Sequence, residues 1–90
     1  MTVRVYKNEK DFKYLQVKRT DLFGELELKV LEEFKIDAEP KNVRLRGYNP
    51  AFKIMIESYA ETCKGEQLQN LGILNYKNFM IETKTDDQEF

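Results

Sequence analysis

The 90-residue chain has fifteen basic and sixteen acidic residues, a net charge of −1, and is 41% hydrophobic and 34% charged. This balance predicts one folded domain with a well-solvated surface. It excludes disorder throughout the chain and a bulk positive field that would attract nucleic acid or an anionic membrane. The chain also has no histidine, which removes Ser/His/Asp and Cys/His catalysis and imidazole metal sites.

Two short runs near the N-terminus alternate apolar and polar residues on either side of the polar connector 7–11. This period of two predicts a β-hairpin, because alternate strand residues point to opposite faces. The apolar residues of its buried face are Val3, Val5, Leu15 and Val17. We expect Phe12 and Tyr14 to cover the mouth of that face.

An amphipathic helix is predicted next, with Thr20 or Asp21 as its N-cap. Its core-facing stripe comprises Leu22, Phe23, Leu26, Val30, Leu31 and Phe34. Gly24 costs up to about 1 kcal/mol relative to alanine in a helix. We attribute this glycine to tolerance near a helix start rather than to the close approach of another backbone. Pro40 follows the end of the helix.

The third predicted strand alternates two apolar residues, Val43 and Leu45, with two arginines, Arg44 and Arg46, before a turn at 47–50. A short fourth strand over 52–56 is expected to point Ile54 and Ile56 inward. The polar, glycine-containing stretch 58–67 is predicted to be a long surface loop.

The C-terminal third contains a short helical turn near Leu68–Ile73 and a last strand. In that strand Phe79 and Ile81 alternate with Met80 and Glu82. We expect residues 1–84 to form the domain and residues 85–90, which are polar, to form a tail or linker. The element order predicts an α+β fold with a mixed, four- to five-stranded sheet packed on one helix.

The same order resembles ubiquitin along nearly the whole chain. The matching features are Val3 and Val5, Leu15 and Val17, the capped helix, the proline after it, 44–47, Leu68–Ile73 and 79–81. The resemblance implies a β-grasp domain. The last strand is not followed by a glycine pair, so we do not expect a conjugated modifier. Ubiquitin has a small apolar patch where this chain has Arg44 or Arg46, Met80 and Glu82, so receptors of that patch should reject it.

The chain also resembles the ubiquitin-like domains embedded in ubiquitin-specific proteases, which are papain-like cysteine deubiquitinases. The segment 72–84 is similar to the end of such domains, running from a Leu-Gly-Ile turn into a strand that ends in a basic residue. The resemblance implies a regulatory or docking module that contacts the parent's catalytic domain or a partner protein. The catalytic cysteine and histidine boxes of the family have no counterpart here, so no catalytic residue is transferred.

A binding surface is predicted on the outward-facing side of the sheet, with Tyr48 in the adjoining turn. Its candidate residues are Arg4, Tyr6, Lys18, Arg44, Arg46, Tyr48, Met80 and Glu82. Arginine beside tyrosine and methionine is typical of protein interfaces. The alternative is a solvated face whose long side chains merely cover the sheet. A Ras-association domain, in which Arg4 and Lys18 pair with a GTPase edge strand, is a second alternative.

The remaining expectations concern surroundings and chemistry. No apolar run reaches the roughly 18 to 20 residues of a membrane span, and residues 1–10 lack the apolar core of a signal peptide. Cys63 is the only cysteine and lies in a polar stretch, which favours a reducing compartment. We therefore expect a cytoplasmic or nuclear monomer without enzymatic activity, cofactor or metal, which binds a protein rather than nucleic acid or membrane.

Overall fold

The computed structural model describes all residues 1–90. Its strands are β1 (Thr2–Asn8), β2 (Asp11–Gln16), β3 (Val43–Asn49), β4 (Ile54–Ser58) and β5 (Lys77–Thr83). One α-helix, α1, spans Phe23–Glu33, and three short 3-10 helices span Pro40–Asn42, Glu61–Gly65 and Leu68–Leu71. None of these helices combines the length and apolar composition needed to cross a membrane.

The five strands form one mixed sheet in the order β2-β1-β5-β3-β4. The central pair, β1 and β5, is parallel, and the other pairs are antiparallel. Val5 lies opposite Phe79 and Leu45 opposite Ile81. Because opposed residues share a face, these four apolar residues lie on the same side of the sheet. The predicted α+β architecture, a mixed sheet packed on one helix, is confirmed.

The core lies between this inner face and α1. Its buried members are Val3, Val5, Leu15, Val17, Phe23, Leu26, Val30, Phe34, Val43, Leu45, Leu68, Ile73, Phe79 and Ile81. The predicted hairpin face is therefore confirmed, and so is most of the helix stripe. Leu31 packs against the core but is only partly buried, as is Leu22. The short helical turn predicted near Leu68–Ile73 is present and contributes two buried side chains.

The predicted caps of the helix are wrong. The N-cap is Leu22, whose backbone N–H donates to Glu25 Oε1 at 3.1 Å. Asp21 Oδ2 instead accepts from the backbone N–H of Lys18 at 2.9 Å, one turn earlier. The first free amide of the helix, at Phe23, donates to the carbonyl of Glu66 at 2.9 Å. A distant backbone segment thus satisfies a donor that sequence reasoning assigns to a local side chain.

The glycine in this helix marks that same contact. A Cβ on Gly24 would lie 3.1 Å from the carbonyl oxygen of Lys64, so close approach of a backbone, and not tolerance, explains it. The polar stretch 58–67 is accordingly not a simple loop. It contains the 3-10 helix Glu61–Gly65, and the ring of Tyr59 packs on Phe23 with centroids 4.6 Å apart.

Ile54 and Ile56 were expected to point inward, but they are not buried. These side chains are 50% and 45% exposed. Ile56 does lie on the inner side of the sheet, since its Cγ1 would be 3.1 Å from a Cβ built on Gly47. No residue of β4 belongs to the core, however. At this edge the core ends at β3, so the apolar residues of β4 remain half exposed.

The segment after β5 crosses the start of β3. The backbone N–H of Lys84 donates to the carbonyl of Asn42 at 2.9 Å, and Asn42 Nδ2 donates to Asp86 Oδ1 at 2.7 Å. The ring of Phe90 lies 4.3 Å from the guanidinium carbon of Arg44. These contacts place the last residues along the sheet.

Truncating Leu68 tests whether the segment preceding β5 is an integral part of the core. Leu68 is fully buried, so Leu68→Ala should lower the free energy of unfolding by about 2–5 kcal/mol through lost burial and a residual cavity. Leu74→Ala, a matched change at an exposed leucine, should cost less than about 0.5 kcal/mol. Urea unfolding measures both. Equal effects would mean that Leu68 does not enter the core.

Candidate functional site

The face of the sheet opposite α1, called the open face below, brings most of the predicted site residues together. The cross-strand neighbours are Tyr6 with Met80, Arg46 with Met80, and Arg44 with Glu82. Lys18 does not join them. It lies beyond the end of β2, in the turn where its backbone bonds to Asp21. Seven of the eight candidates thus share this surface.

The centre of the open face is a small buried cluster formed by Tyr6, Tyr48 and Met80, with Met55 packed against it. The two tyrosine rings have centroids 5.0 Å apart in a tilted arrangement, a geometry that aromatic pairs favour. These residues are covered by their neighbours rather than protruding. They form a rigid floor, and the groups available to a partner stand around it.

Arg4 stands on one side of this floor beside two aromatic rings. Its Nη1 donates to the hydroxyl of Tyr6 at 3.1 Å, and its guanidinium carbon lies 5.4 and 5.1 Å from the ring centroids of Phe12 and Tyr14. These distances fit cation–π contacts. The position expected for the two rings, at the mouth of the buried face, is wrong. Phe12 lies opposite Tyr6 and Tyr14 opposite Arg4, so both lie on the open face.

Phe12 and Tyr14 are the functional candidates that sequence reasoning missed. The alternation of side chains along β2 could have identified them, because a strand that buries Leu15 must point its even-numbered neighbours to the opposite face. The rings remain about half exposed beside Arg4. Together they form the aromatic part of the surface that a partner can reach.

Two arginines and one carboxylate stand on the other side of the floor. Glu82 Oε1 accepts from Arg44 Nε at 2.8 Å and Nη2 at 2.6 Å, while Glu82 Oε2 lies 3.5 Å from Arg46 Nη1. Arg46 Nη2 also donates to the carbonyl of Ile56 at 3.3 Å. The three side chains are each about one quarter exposed, at 25 to 27%. One carboxylate between two guanidinium groups leaves this group with net positive charge.

The buried carboxylate of the chain lies elsewhere. Glu27 of α1 is buried, and burial raises its pKa, although the charge of Lys64 and the backbone of Leu45 lower it. Lys64 Nζ is 3.8 Å from Glu27 Oε1 and 3.1 Å from Glu61 Oε1. Perturbed acids cluster at functional sites but also occur in structural ion pairs. Here the pair links α1 to the 3-10 helix Glu61–Gly65, next to Gly24, which indicates a structural brace.

No protein-family model matches the chain, and no curated protein matches it in sequence. Solved structures do match. The ubiquitin of Caldiarchaeum subterraneum superposes with a TM-score of 0.66 at 19% identity, over 98% of both chains. An Arabidopsis thaliana protein with a solution structure gives a TM-score of 0.69 at 17% identity, over 98% of this chain and 90% of that one. The chain has the ubiquitin-like β-grasp fold.

Removing Glu82 tests the charge arrangement of the open face. Glu82→Ala leaves Arg44 and Arg46 partly buried without their partner, and should lower the free energy of unfolding by about 1–3 kcal/mol. Glu39→Ala, which removes the exposed contact to Lys41 at 3.5 Å, should cost less than about 0.5 kcal/mol. Urea unfolding of both variants measures the two losses in free energy of unfolding. Losses of equal size would mean that Glu82 does not hold the arginines.

Replacing Glu27 tests the cost of its buried charge. Burial raises the pKa of Glu27 in the folded protein. The contribution of this group to stability is therefore full below the pKa of the unfolded carboxyl, and it should fall as pH rises from that value through the raised folded pKa. Glu27→Gln should remove that fall and exceed the wild type in stability at neutral pH. Thermal unfolding followed from acid to neutral pH measures the difference. A variant that is less stable than the wild type at neutral pH would show that the Lys64 pair outweighs desolvation.

Proposed function

We propose that the chain is a non-catalytic interaction module that docks onto a protein through its open face. The observation that carries this proposal is the surface itself. Three arginines stand with one glutamate around a rigid apolar floor, with two half-exposed aromatic rings beside Arg4. Arginine and aromatic side chains dominate binding energies at protein interfaces. A solvated face would not require its arginines to be held in fixed positions.

The chemistry of this face favours an acidic or mixed partner surface. The whole chain is nearly neutral, yet the predicted site residues on the open face include three arginines, Arg4 on one side and Arg44 and Arg46 on the other, and one carboxylate, Glu82, which pairs with the last two. Complementary charge of this kind sets the rate and orientation of docking more than its affinity. A rigid floor favours docking with little rearrangement.

We further propose that the module belongs to a ubiquitin-specific protease and docks onto the catalytic domain of that parent or onto a recruited protein. The support is the likeness of residues 72–84 to the ends of such domains, together with the ubiquitin-like fold. Sequencing the full transcript tests this context. Flanking sequence that encodes a cysteine box and a histidine box would support it, and a reading frame without them would contradict it.

The Ras-association alternative receives no comparable support. It needs an accessible β2 edge with Arg4 and Lys18 close together. Lys18 lies beyond β2, and the outer carbonyl of Gln16 accepts a hydrogen bond from Lys29 of α1. This arrangement therefore favours the open-face proposal over the Ras-association alternative.

A photocrosslinking residue at Tyr14 tests the open face directly. Tyr14 is 53% exposed on the open face, and Leu28, a matched control, is 54% exposed on α1. In the full-length protein within cells, the crosslinker at position 14 should capture a discrete partner or an intramolecular segment, and the crosslinker at position 28 should not. Adding Arg4→Glu should reduce the yield at position 14 at least about tenfold. Capture at position 28 alone would contradict the proposal.

A further inference from the structure

The residues 85–90, called the tail below, fold back onto the sheet after β5. The backbone N–H of Gln88 donates to the carbonyl of Thr85 at 3.1 Å, and the backbone N–H of Thr85 donates to Gln88 Oε1 at 2.9 Å. These two bonds close a turn, which reverses the direction of the chain. The turn returns Phe90 to the start of β3, where its ring centroid lies 4.3 Å from the guanidinium carbon of Arg44.

The ring of Phe90 lies near two cations. Besides Arg44, Lys84 Nζ is 5.7 Å from the ring centroid, and both distances fit cation–π contacts. Arg44 meanwhile keeps its two bonds to Glu82. The ring is 43% exposed and does not belong to the core. It therefore covers one of the arginines of the open face without being anchored beneath the sheet.

The tail is also acidic, and one of its carboxylates contacts the residues that precede β3. Three of its six residues are acidic and none is basic. Asp86 Oδ1 accepts from Asn42 Nδ2 at 2.7 Å and lies 3.6 Å from Lys41 Nζ. The charge of the tail is therefore complementary to the basic end of the open face on which it lies.

The contacts that hold the tail are ones that another segment can replace. The side chains of Lys41 and Asp86 are 64% and 72% exposed, and exposed ion pairs contribute little to stability. The tail remains in place because it is tethered, which gives it a high effective concentration beside its site. None of its residues enters the core, so the tail can leave the sheet without unfolding the domain.

We propose that the Arg44 end of the open face binds an acidic segment of the protein partner that carries an aromatic residue, and that the tail occupies this place until the partner displaces it. The inference rests on the docking function proposed above and names the chemistry of the segment that docks. The tail is the model for that segment, because it brings a carboxylate to Lys41 and an aromatic ring to Arg44. The apparent affinity for the partner falls in proportion to the fraction of chains in which the site is free.

A peptide with the sequence of the tail, Thr-Asp-Asp-Gln-Glu-Phe with blocked ends, tests the competition. Heteronuclear NMR titration compares its affinity for the 90-residue chain and for the double variant Asp86→Asn/Phe90→Ala, called the tail variant below. The tail variant should bind the peptide at least about threefold more tightly than the wild type, because its own tail competes less. Equal affinities, or no shifts with either protein at millimolar peptide, would overturn the proposal.

A second double variant controls for the loss of one charge and one ring. Asp87→Asn/Phe52→Ala changes a carboxylate that accepts from Thr85 Oγ1 within the tail at 2.6 Å, and a ring that is 76% exposed in the turn after β3. It should bind the peptide like the wild type. A gain equal to that of the tail variant would show that the contacts of Asp86 and Phe90 do not hold the tail, and would overturn the proposal.

Substitutions in the protein and in the peptide test the site and its chemistry. Arg44→Gln added to the tail variant should weaken peptide binding at least about threefold, since the ring loses its cation. Arg19→Gln, at an exposed arginine after β2, should not weaken it. A peptide with asparagine for both aspartates and alanine for phenylalanine should bind at least about tenfold more weakly. Undiminished binding by that peptide would overturn the proposal. Circular dichroism confirms that each variant is folded.

Crosslinking at position 14 separates this inference from the docking function on which it rests. In the full-length protein, the substitutions of the tail variant should raise the yield of the partner captured at position 14 at least about threefold. An unchanged yield would overturn the competition by the tail and leave docking through the open face standing. Absence of capture with and without these substitutions would instead contradict the docking function itself.

Discussion

The parallel pairing of β1 with β5 is the constraint on which the rest of the structure depends. It joins the first strand of the chain to the last, in the register Val5 with Phe79 and Tyr6 with Met80. Because side chains alternate with a period of two, a slip of one residue would move every side chain of a strand to the other face. The same register therefore places Phe79 in the core and Met80 on the open face. This one strand pairing therefore positions residues of both the core and the candidate site.

The buried residues on the two faces of the sheet are covered in different ways. On the inner face, α1 and the segment 59–73 cover the apolar strands, and the Phe23, Tyr59 and Phe79 rings pack together. On the open face no helix covers the centre of the sheet, and Tyr6, Tyr48 and Met80 form a small cluster that is buried among neighbouring side chains. Arginines held by Glu82 and by aromatic rings lose less conformational freedom when a partner arrives. Order within the free protein would thus lower the entropic cost of the docking proposed for the open face.

Much of the fold could be predicted because its elements follow local periods. Alternation located β1, β2, β3 and β5, and the four-residue spacing of α1 identified the helix face that packs on them. The same rule also placed Arg44, Arg46 and Glu82 on one surface. These features follow from the local sequence, because the spacing of the apolar residues within each strand or helix is enough to assign its buried side. The open face could be predicted because its residues are those that alternate with the buried residues of the same strands.

The features that sequence reasoning missed depend on distant parts of the chain. Gly24 and the helix start are explained by the backbone at residues 64–66, which no local pattern identifies. The exposure of Ile54 depends on where the core ends, and a strand's own pattern cannot state whether anything lies beneath it. The rings of Phe12 and Tyr14 are a different case, because their alternation with the buried Leu15 is a local pattern that itself assigns them to the open face.

The nuclear Overhauser effect between side chains of β1 and β5 would test the central claim most directly. The register requires contacts of the Tyr6 ring with the Met80 methyl group and of Val5 with Phe79, and none between Tyr6 and Phe79. Observing both contacts would establish that one pairing creates the core and the open face together. Contacts between the Tyr6 ring and Phe79 or Ile81 would show a shifted register, in which Arg4 and Tyr6 would no longer lie on the same face as Met80.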